Sequence, residues 1–174
     1  MITVRPAKTA EYEDIETFYR ELINSMRDSE FKPEWEMGVY PTESLLKDAV
    51  KKQTLFLAYL ENSLVGVMIL NRDCAPEYEK VEWQTDAKKD EVMIIHLLAV
   101  SPAHQGKGVA KQMVSSAIEI CGKRLVKAIR LDVLKKNTPA AKLYISMGFQ
   151  LAASVKMYYE DTGLADFELY ELVL

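Results

Sequence analysis

VMIIHLLAVSPAHQGKGVA, residues 92–110, is the stretch on which the fold of this chain depends. Its first half is apolar except for His96, which is typical of a strand buried on both faces of a sheet. Gly106 and Gly108 then precede a helical pattern that begins at Val109. The N–H groups of a first helical turn have no partner inside the helix, and the helix dipole favours negative charge there. The stretch therefore predicts a buried strand followed by an anion site at a helix N-terminus.

The composition bounds the class of protein. The chain has 174 residues, of which 49% are hydrophobic and 28% charged, and its formal net charge is −4. This length suits one hydrophobic core, so we expect a single domain over residues 1–174. The acidic balance argues against a nucleic-acid partner, because a general nucleic-acid binder carries a basic surface.

The location is predicted from what the sequence contains at its start and in its cysteines. The first residues show no apolar signal core, and no apolar run approaches membrane-spanning length, so we expect no membrane partner. Cys74 and Cys121 stand far apart, without metal-binding or redox spacing. A reducing, cytoplasmic location is the simplest interpretation.

The order of elements predicts an α/β fold with a mixed sheet. Apolar periodicity predicts helices over residues 9–27, from 42, over 109–122 and from 137 to Gly148. The strands are predicted at residues 2–5, 54–60, 64–71, 91–100, 128–134, 149–159 and 166–174. Residues 28–41 and 73–90 read as polar loops that carry aromatic residues. The aromatics of residues 28–41 either line a pocket or cover the core, and the second interpretation is favoured.

Two motifs in the chain resemble those of the GNAT superfamily of N-acetyltransferases. The first is QGKGVA at residues 105–110, which has the pattern Gln or Arg, two residues, Gly, one residue, then Gly or Ala, after a strand that ends in Leu-Ala-Val. The second combines Asn137, Ala140, Leu143-Tyr144 and Gly148-Phe149. The order of elements also matches over nearly the whole chain. The resemblance implies a mostly antiparallel sheet of about seven strands with about four helices and a V-shaped splay between strands 4 and 5.

The resemblance also implies acetyl-CoA as acetyl donor, and no metal. The N–H groups of residues 105–110 would hold the pyrophosphate, the backbone of residues 98–100 would pair with the pantetheine arm, and Asn137 would hydrogen-bond the cofactor beyond the splay. The residues expected to bind the cofactor are Leu98, Ala99, Val100, Gln105, Gly106, Lys107, Gly108, Val109, Ala110, Asn137 and Ala140.

Tyr144 and His96 are the candidate catalytic residues. Tyr144 stands where the family places a general acid, and a phenol with an ordinary pKa of about 10 can protonate a departing thiolate. His96 lies two residues before Leu98, at a position that resembles a catalytic histidine of the arylalkylamine N-acetyltransferases, and its ordinary pKa of about 6.5 suits a base. The structural alternatives are a tyrosine that only packs and a buried neutral histidine. Glu91, a carboxylate of residues 73–90 or a water chain are the other sources of a base.

The sequence thus predicts an N-acetyltransferase that transfers the acetyl group to a primary amine of a small molecule or peptide, by direct attack in a ternary complex. The alternative is a catalytically silent module that binds an acyl-CoA as a sensor or docking domain. Retention of Tyr144 and a candidate base favours the enzyme. The identity of the acceptor is left open, although the acidic balance mildly favours a cation. The last strand either pairs two copies into a homodimer or belongs to the core.

Overall fold

A seven-stranded sheet organises the structure, a computed structural model that describes residues 1–174. The spatial order of the strands is β1-β2-β3-β4-β5-β7-β6. All neighbours are antiparallel except β4 and β5, which are parallel. This confirms the predicted mixed, mostly antiparallel sheet. The strands are β1 (Ile2–Pro6), β2 (Leu55–Leu60), β3 (Ser63–Asn71), β4 (Val92–Val100), β5 (Ala128–Leu134), β6 (Gln150–Tyr159) and β7 (Gly163–Val173).

Four α-helices cover the two faces of the sheet. They are α1 (Tyr12–Ser25), α2 (Glu43–Lys51), α3 (Val109–Lys123) and α4 (Thr138–Ser146). Alternate residues of β2 and β3 point to opposite faces, so one core cluster contains α1 and α2 and the other contains α3 and the Tyr144 ring of α4. The side-chain oxygen of Thr42 accepts a hydrogen bond from the Leu45 N–H at 3.1 Å and so caps the start of α2.

The predicted boundaries differ most from the structure in the first helix and in the last strand. The first helix is preceded by a 3₁₀ turn at Thr9–Glu11 and ends at Ser25 rather than at residue 27. The last strand begins at Gly163, three residues before the predicted start, because residues 163–165 pair with Met157–Tyr159 across a tight hairpin. Residues 73–90 are irregular apart from short 3₁₀ turns, of which one spans Pro76–Lys80. None of the helices combines the length and the apolar character needed to span a bilayer.

The parallel strands β4 and β5 pair over a short distance only. Their register joins Val92 to Ala128, Met93 to Ile129 and Ile94 to Arg130, and no further pair follows. Beyond Ile94 the two strands diverge, which confirms the predicted splay. The C-terminal half of β4 therefore has a strand partner on its β3 side alone.

Gly66 on β3 allows α3 to approach the sheet closely. A Cβ atom at this position would lie 2.6 Å from the Met113 sulfur, 3.1 Å from the Ala99 carbonyl oxygen and 3.3 Å from a γ-carbon of Val109. Val109 is the first residue of α3 and directly follows the glycine turn. The small residue thus sets how deeply the N-terminal end of α3 sits against β3 and β4.

We expect Gly66→Ala to lower the free energy of unfolding by about 1–3 kcal/mol, because the added methyl overpacks this contact. Gly122→Ala is the matched control, since Gly122 lies in α3 with nothing within 4 Å of an added Cβ. Alanine favours a helix over glycine, so the control should be neutral or stabilising. Urea unfolding measures both variants. Equal midpoints for Gly66→Ala and the unchanged protein would show that the contact yields without cost.

Candidate active site

A β-bulge shapes β4 three residues beyond the point where it leaves β5. Val67 pairs with Ala99, and Ile69 pairs with His96. Two residues of β4, Leu97 and Leu98, therefore lie opposite the single residue Met68 of β3. Leu97 has a φ of +49°, in the left-handed region that is rare for residues other than glycine. The hydroxyl of Tyr19, on α1, donates a hydrogen bond to the Leu97 carbonyl at 2.7 Å, and both residues are buried. This buried contact stabilises an otherwise unfavourable backbone conformation.

A groove of about 610 Å³ runs from this bulge to the N-terminal ends of α3 and α4. Gly106 and Gly108 form its turn with φ values of +74° and +81°, and no atom lies within 4 Å of a Cβ placed on either. The turn therefore leaves its backbone open to a ligand. Every residue predicted to bind the cofactor lines the groove except Lys107, whose side chain is exposed outside it. The lining residues in that set are Leu98, Ala99, Val100, Gln105, Gly106, Gly108, Val109, Ala110, Asn137 and Ala140.

Asn137 has two roles that the sequence could suggest only separately. Its side-chain oxygen accepts a hydrogen bond from the Ala140 N–H at 3.3 Å and caps α4. Its side-chain NH₂ makes no hydrogen bond to the protein, and the residue faces both the groove and the cavity beyond it. The amide is thus oriented by the helix and leaves a donor free for a ligand.

A central cavity of about 130 Å³ lies at the inner end of the groove, between the diverging strands. It shares Leu98, Asn137 and Ala140 with the groove, and both candidate catalytic residues line it. The loop of residues 28–41 also contributes, because Trp35 lines the cavity and also packs against the core. The favoured interpretation, that the aromatics of this loop cover the core, is therefore incomplete, because Trp35 also lines the cavity.

The contacts of His96 determine its tautomer. Its Nε2 atom lies 2.8 Å from the Asp73 carbonyl oxygen and 3.1 Å from the side-chain oxygen of Asn71. A carbonyl oxygen can only accept, so Nε2 carries the hydrogen and donates it. Nδ1 makes no hydrogen bond to the protein. Burial lowers the pKa of His96 despite the opposing influence of the nearby Asp132 carboxylate, which leaves the ring neutral and the Nδ1 lone pair free.

Tyr144 is buried, with its ring edge-on to Phe149 at a centroid distance of 5.5 Å. Its hydroxyl makes no hydrogen bond to the protein although the residue lines the central cavity. Burial, and secondarily the negative charge of Asp132, raise the pKa of Tyr144 well above its ordinary value. The phenol is therefore protonated at neutral pH and keeps its hydrogen available to a ligand.

Asp132 is one of two aspartates of the cavity, with Asp161, to which the sequence motifs assign no role. It lies on β5, and its Oδ2 atom accepts hydrogen bonds from Tyr78 at 2.8 Å and Tyr159 at 3.2 Å. Burial raises its pKa, whereas the two tyrosines and His96 lower it. The available signal was a charged residue within the apolar run LDVL, which is the same kind of signal that singled out His96. Glu91, by contrast, pairs with Lys127 at 2.8 Å and does not line the cavity.

Comparisons with known proteins agree with this arrangement. Residues 16–149 match the model of the acetyltransferase (GNAT) family. A [ribosomal protein bS18]-alanine N-acetyltransferase of Haemophilus ducreyi is 39% identical over 70 residues, which cover 40% of this chain and 48% of that protein. Streptothricin acetyltransferase of Escherichia coli is 25% identical over 157 residues, which cover 86% of this chain and 80% of that protein. The chain thus spans about half the length, or less, of the first curated relatives it matches.

Solved structures share the fold at low sequence identity. A GNAT-family acetyltransferase from Streptococcus agalactiae superposes with a TM-score of 0.81 at 17% identity, over 99% of this chain and 95% of that one. The structure of yncA from Salmonella typhimurium with its cofactor acetyl-CoA gives a TM-score of 0.73 at 16% identity, over 100% of this chain and 94% of that one. These similarities concern the arrangement of the backbone.

We expect Tyr19→Phe to lower the free energy of unfolding by about 1–3 kcal/mol, because the buried Leu97 carbonyl loses its donor. Tyr12→Phe on the same helix is the control, since the Tyr12 hydroxyl is buried without a partner and its removal costs nothing. Urea unfolding compares the two variants. If both behave alike, the bulge does not depend on the Tyr19 hydroxyl.

The His96 ring should titrate below its ordinary pKa of 6.5 and carry its hydrogen on Nε2 at neutral pH. Because the unfolded chain takes up this proton first, the free energy of unfolding should fall as the pH drops below about 6.5. NMR of the ring ¹⁵N nuclei reports both the tautomer and the titration, and His96→Gln identifies the signals. A ring that titrates above 6.5, or that is protonated on Nδ1 when neutral, contradicts the assignment.

Proposed function

The chain belongs to the acetyltransferase (GNAT) family, and from this premise we propose that it is an N-acetyltransferase that transfers the acetyl group of acetyl-CoA to a primary amine. We infer that residues 1–174 act as one catalytic domain. The observation that carries the proposal is the continuity between groove and cavity. The glycine turn at one end and the side chains of His96 and Tyr144 at the other belong to one depression.

The groove has features that fit coenzyme A. The open turn at residues 105–108 precedes the N-terminus of α3, where unpaired N–H groups favour a pyrophosphate. The backbone of residues 98–100 has no strand partner on its groove side, so it offers hydrogen bonds to an extended amide chain such as pantetheine. The free NH₂ of Asn137 lies where the groove meets the cavity. When bound, acetyl-CoA supplies an activated acetyl thioester.

His96 is proposed as the base. The attacking amine must lose a proton to present a lone pair, and Nδ1 is the unprotonated, unpartnered nitrogen that faces this task. The resulting imidazolium would be stabilised by Asp132, whose negative charge acts to raise the pKa of His96. The hydrogen bond from Nε2 to the Asp73 carbonyl keeps the ring oriented throughout.

Tyr144 is proposed as the acid that completes the exchange of bonds. The amine nitrogen bonds to the acetyl carbon, the carbon–sulfur bond breaks, and the Tyr144 hydroxyl donates its proton to the departing thiolate. The Leu98 N–H would polarise the carbonyl oxygen of the acetyl group. No covalent intermediate on the protein is required, so its main contribution is to position two substrates.

Acetyl-CoA-dependent release of free thiol over a panel of amines and amine-terminated peptides tests the activity, with calorimetry measuring coenzyme A binding in parallel. The proposal expects turnover with at least one acceptor class. Tight cofactor binding without any turnover would instead favour the silent acyl-CoA-binding module.

Tyr144→Phe should lower kcat by about a hundredfold while leaving the affinity for coenzyme A nearly unchanged, since only the proton donor is lost. Tyr158→Phe is the matched control, because Tyr158 is 64% exposed on β6 and lines neither the groove nor the cavity. Steady-state thiol release measures kcat for both variants. Unchanged kcat in Tyr144→Phe would remove Tyr144 from the proposed mechanism.

A further inference from the structure

The central cavity has a one-sided charge. The only carboxylates that line it are those of Asp132 and Asp161, and no lysine or arginine lines it. Neither carboxylate has a lysine or arginine nitrogen within 4 Å. The single histidine of the lining is neutral. A cation bound in the cavity would therefore be attracted by two carboxylates and repelled by no cationic side chain.

Asp161 is the less satisfied of the two acids. It lies in the turn between β6 and β7, and its Oδ1 atom is buried without a hydrogen-bond donor. Two other carboxylates, by contrast, form ion pairs. Glu34 pairs with Lys32 and Lys136, and Asp166 pairs with Lys156. Because Oδ1 is enclosed by protein, a ligand in the cavity would meet the other oxygen, Oδ2, which is not enclosed and can accept a hydrogen bond from an N–H group.

The wall between the two acids is aromatic. The rings of Tyr40 and Tyr159 stack at a centroid distance of 6.1 Å, and both line the cavity. The pKa of Tyr40 is raised by burial and then by Asp132 and Asp161, so both carboxylates act on the same ring. Aromatic faces beside carboxylates suit ammonium groups and the alkyl chain that joins them.

The Asp132 carboxylate provides an independent indication of a ligand. It is enclosed by protein except toward the cavity, and its two donors, Tyr78 and Tyr159, both bind Oδ2. Oδ1 makes no hydrogen bond to the protein, so the oxygen that is free lies on a buried side chain that lines the cavity. His96 lines the same cavity, and its Nδ1 atom makes no hydrogen bond to the protein, so a proton acceptor and this carboxylate belong to one lining.

Building on the acetyltransferase activity proposed above, we propose that the acceptor is a small aliphatic diamine, with the amine to be acetylated bound near Asp132 and His96 and the second ammonium group bound by Asp161. The size of the cavity supports a slender acceptor. Its volume of about 130 Å³ is close to the ~150 Å³ of a protein cavity that holds one benzene molecule. An unbranched alkyl chain fits such a space, whereas a folded polypeptide does not.

The experiment compares 1,4-diaminobutane with 1-aminobutane and with an alanine-initiated peptide as acceptors, in the unchanged protein, Asp161→Asn and Glu160→Gln. Glu160 is the adjacent residue, exposed and outside the cavity, so its variant controls for the loss of one negative charge in the same turn. We expect the unchanged protein and Glu160→Gln to prefer the diamine in kcat/KM. Asp161→Asn should reduce the ratio of diamine to monoamine about tenfold or more, mainly through KM.

Calorimetry of 1,4-diaminobutane with the coenzyme A-bound protein gives a second readout that does not need turnover. Weaker binding in Asp161→Asn than in Glu160→Gln supports the diamine site. Equal ratios in the two variants, no preference for the diamine, or better acetylation of the peptide overturns the inference while leaving the acetyltransferase proposal intact. Absence of transfer to every amine overturns the acetyltransferase proposal, and the calorimetric comparison then still decides whether Asp161 binds the diamine.

Discussion

The hydrogen bond from Tyr19 to the Leu97 carbonyl is the contact on which the site depends. It stabilises a left-handed residue inside β4, three residues beyond Ile94, where the pairing between β4 and β5 ends. Without a neighbouring strand on the β5 side, the C-terminal half of β4 presents free backbone groups to a groove and side chains to a cavity. The gap in strand pairing, next to a bulge that α1 stabilises, thus forms the space in which two substrates can bind.

The loop of residues 73–90 supports two residues that line the cavity, since Tyr78 bonds to Asp132 and the Asp73 carbonyl bonds to His96. Glu171 on β7 is 1% exposed and accepts hydrogen bonds from the backbone and a threonine side chain of residues 73–90, and also from Arg130 at 3.4 Å. A buried charge of this kind is tolerated because every partner is a donor. The same loop carries Tyr78, which donates to Asp132. Glu171 therefore fixes the loop that orients the cavity carboxylate.

The two halves of the depression differ in what they contribute. The groove is built mainly from backbone, through the glycine turn and the unpaired edge of β4, so it suits a ligand with phosphates and amides. The cavity is built from side chains that can donate or accept a proton, namely one histidine, one buried tyrosine and two aspartates. This difference explains why a family motif can predict the groove. The chemistry of the cavity, where the acceptor is proposed to bind, depends on individual side chains.

The sequence by itself determined the features that depend on neighbouring residues. The periodicity of each helix, the glycine turn before α3, the cap at Asn137 and the positions of nearly all strands follow from contacts within a few residues, which is why they were predicted correctly. The start of β7 was placed three residues late because it depends on pairing with β6 rather than on its own composition. The tertiary structure alone decided the bulge at Leu97, the tautomer of His96, and the meeting of Asp132 and Asp161 at one cavity. Each of these depends on contacts between residues far apart in the chain, such as Tyr19 with Leu97 and Tyr78 with Asp132. Local sequence patterns do not predict such contacts.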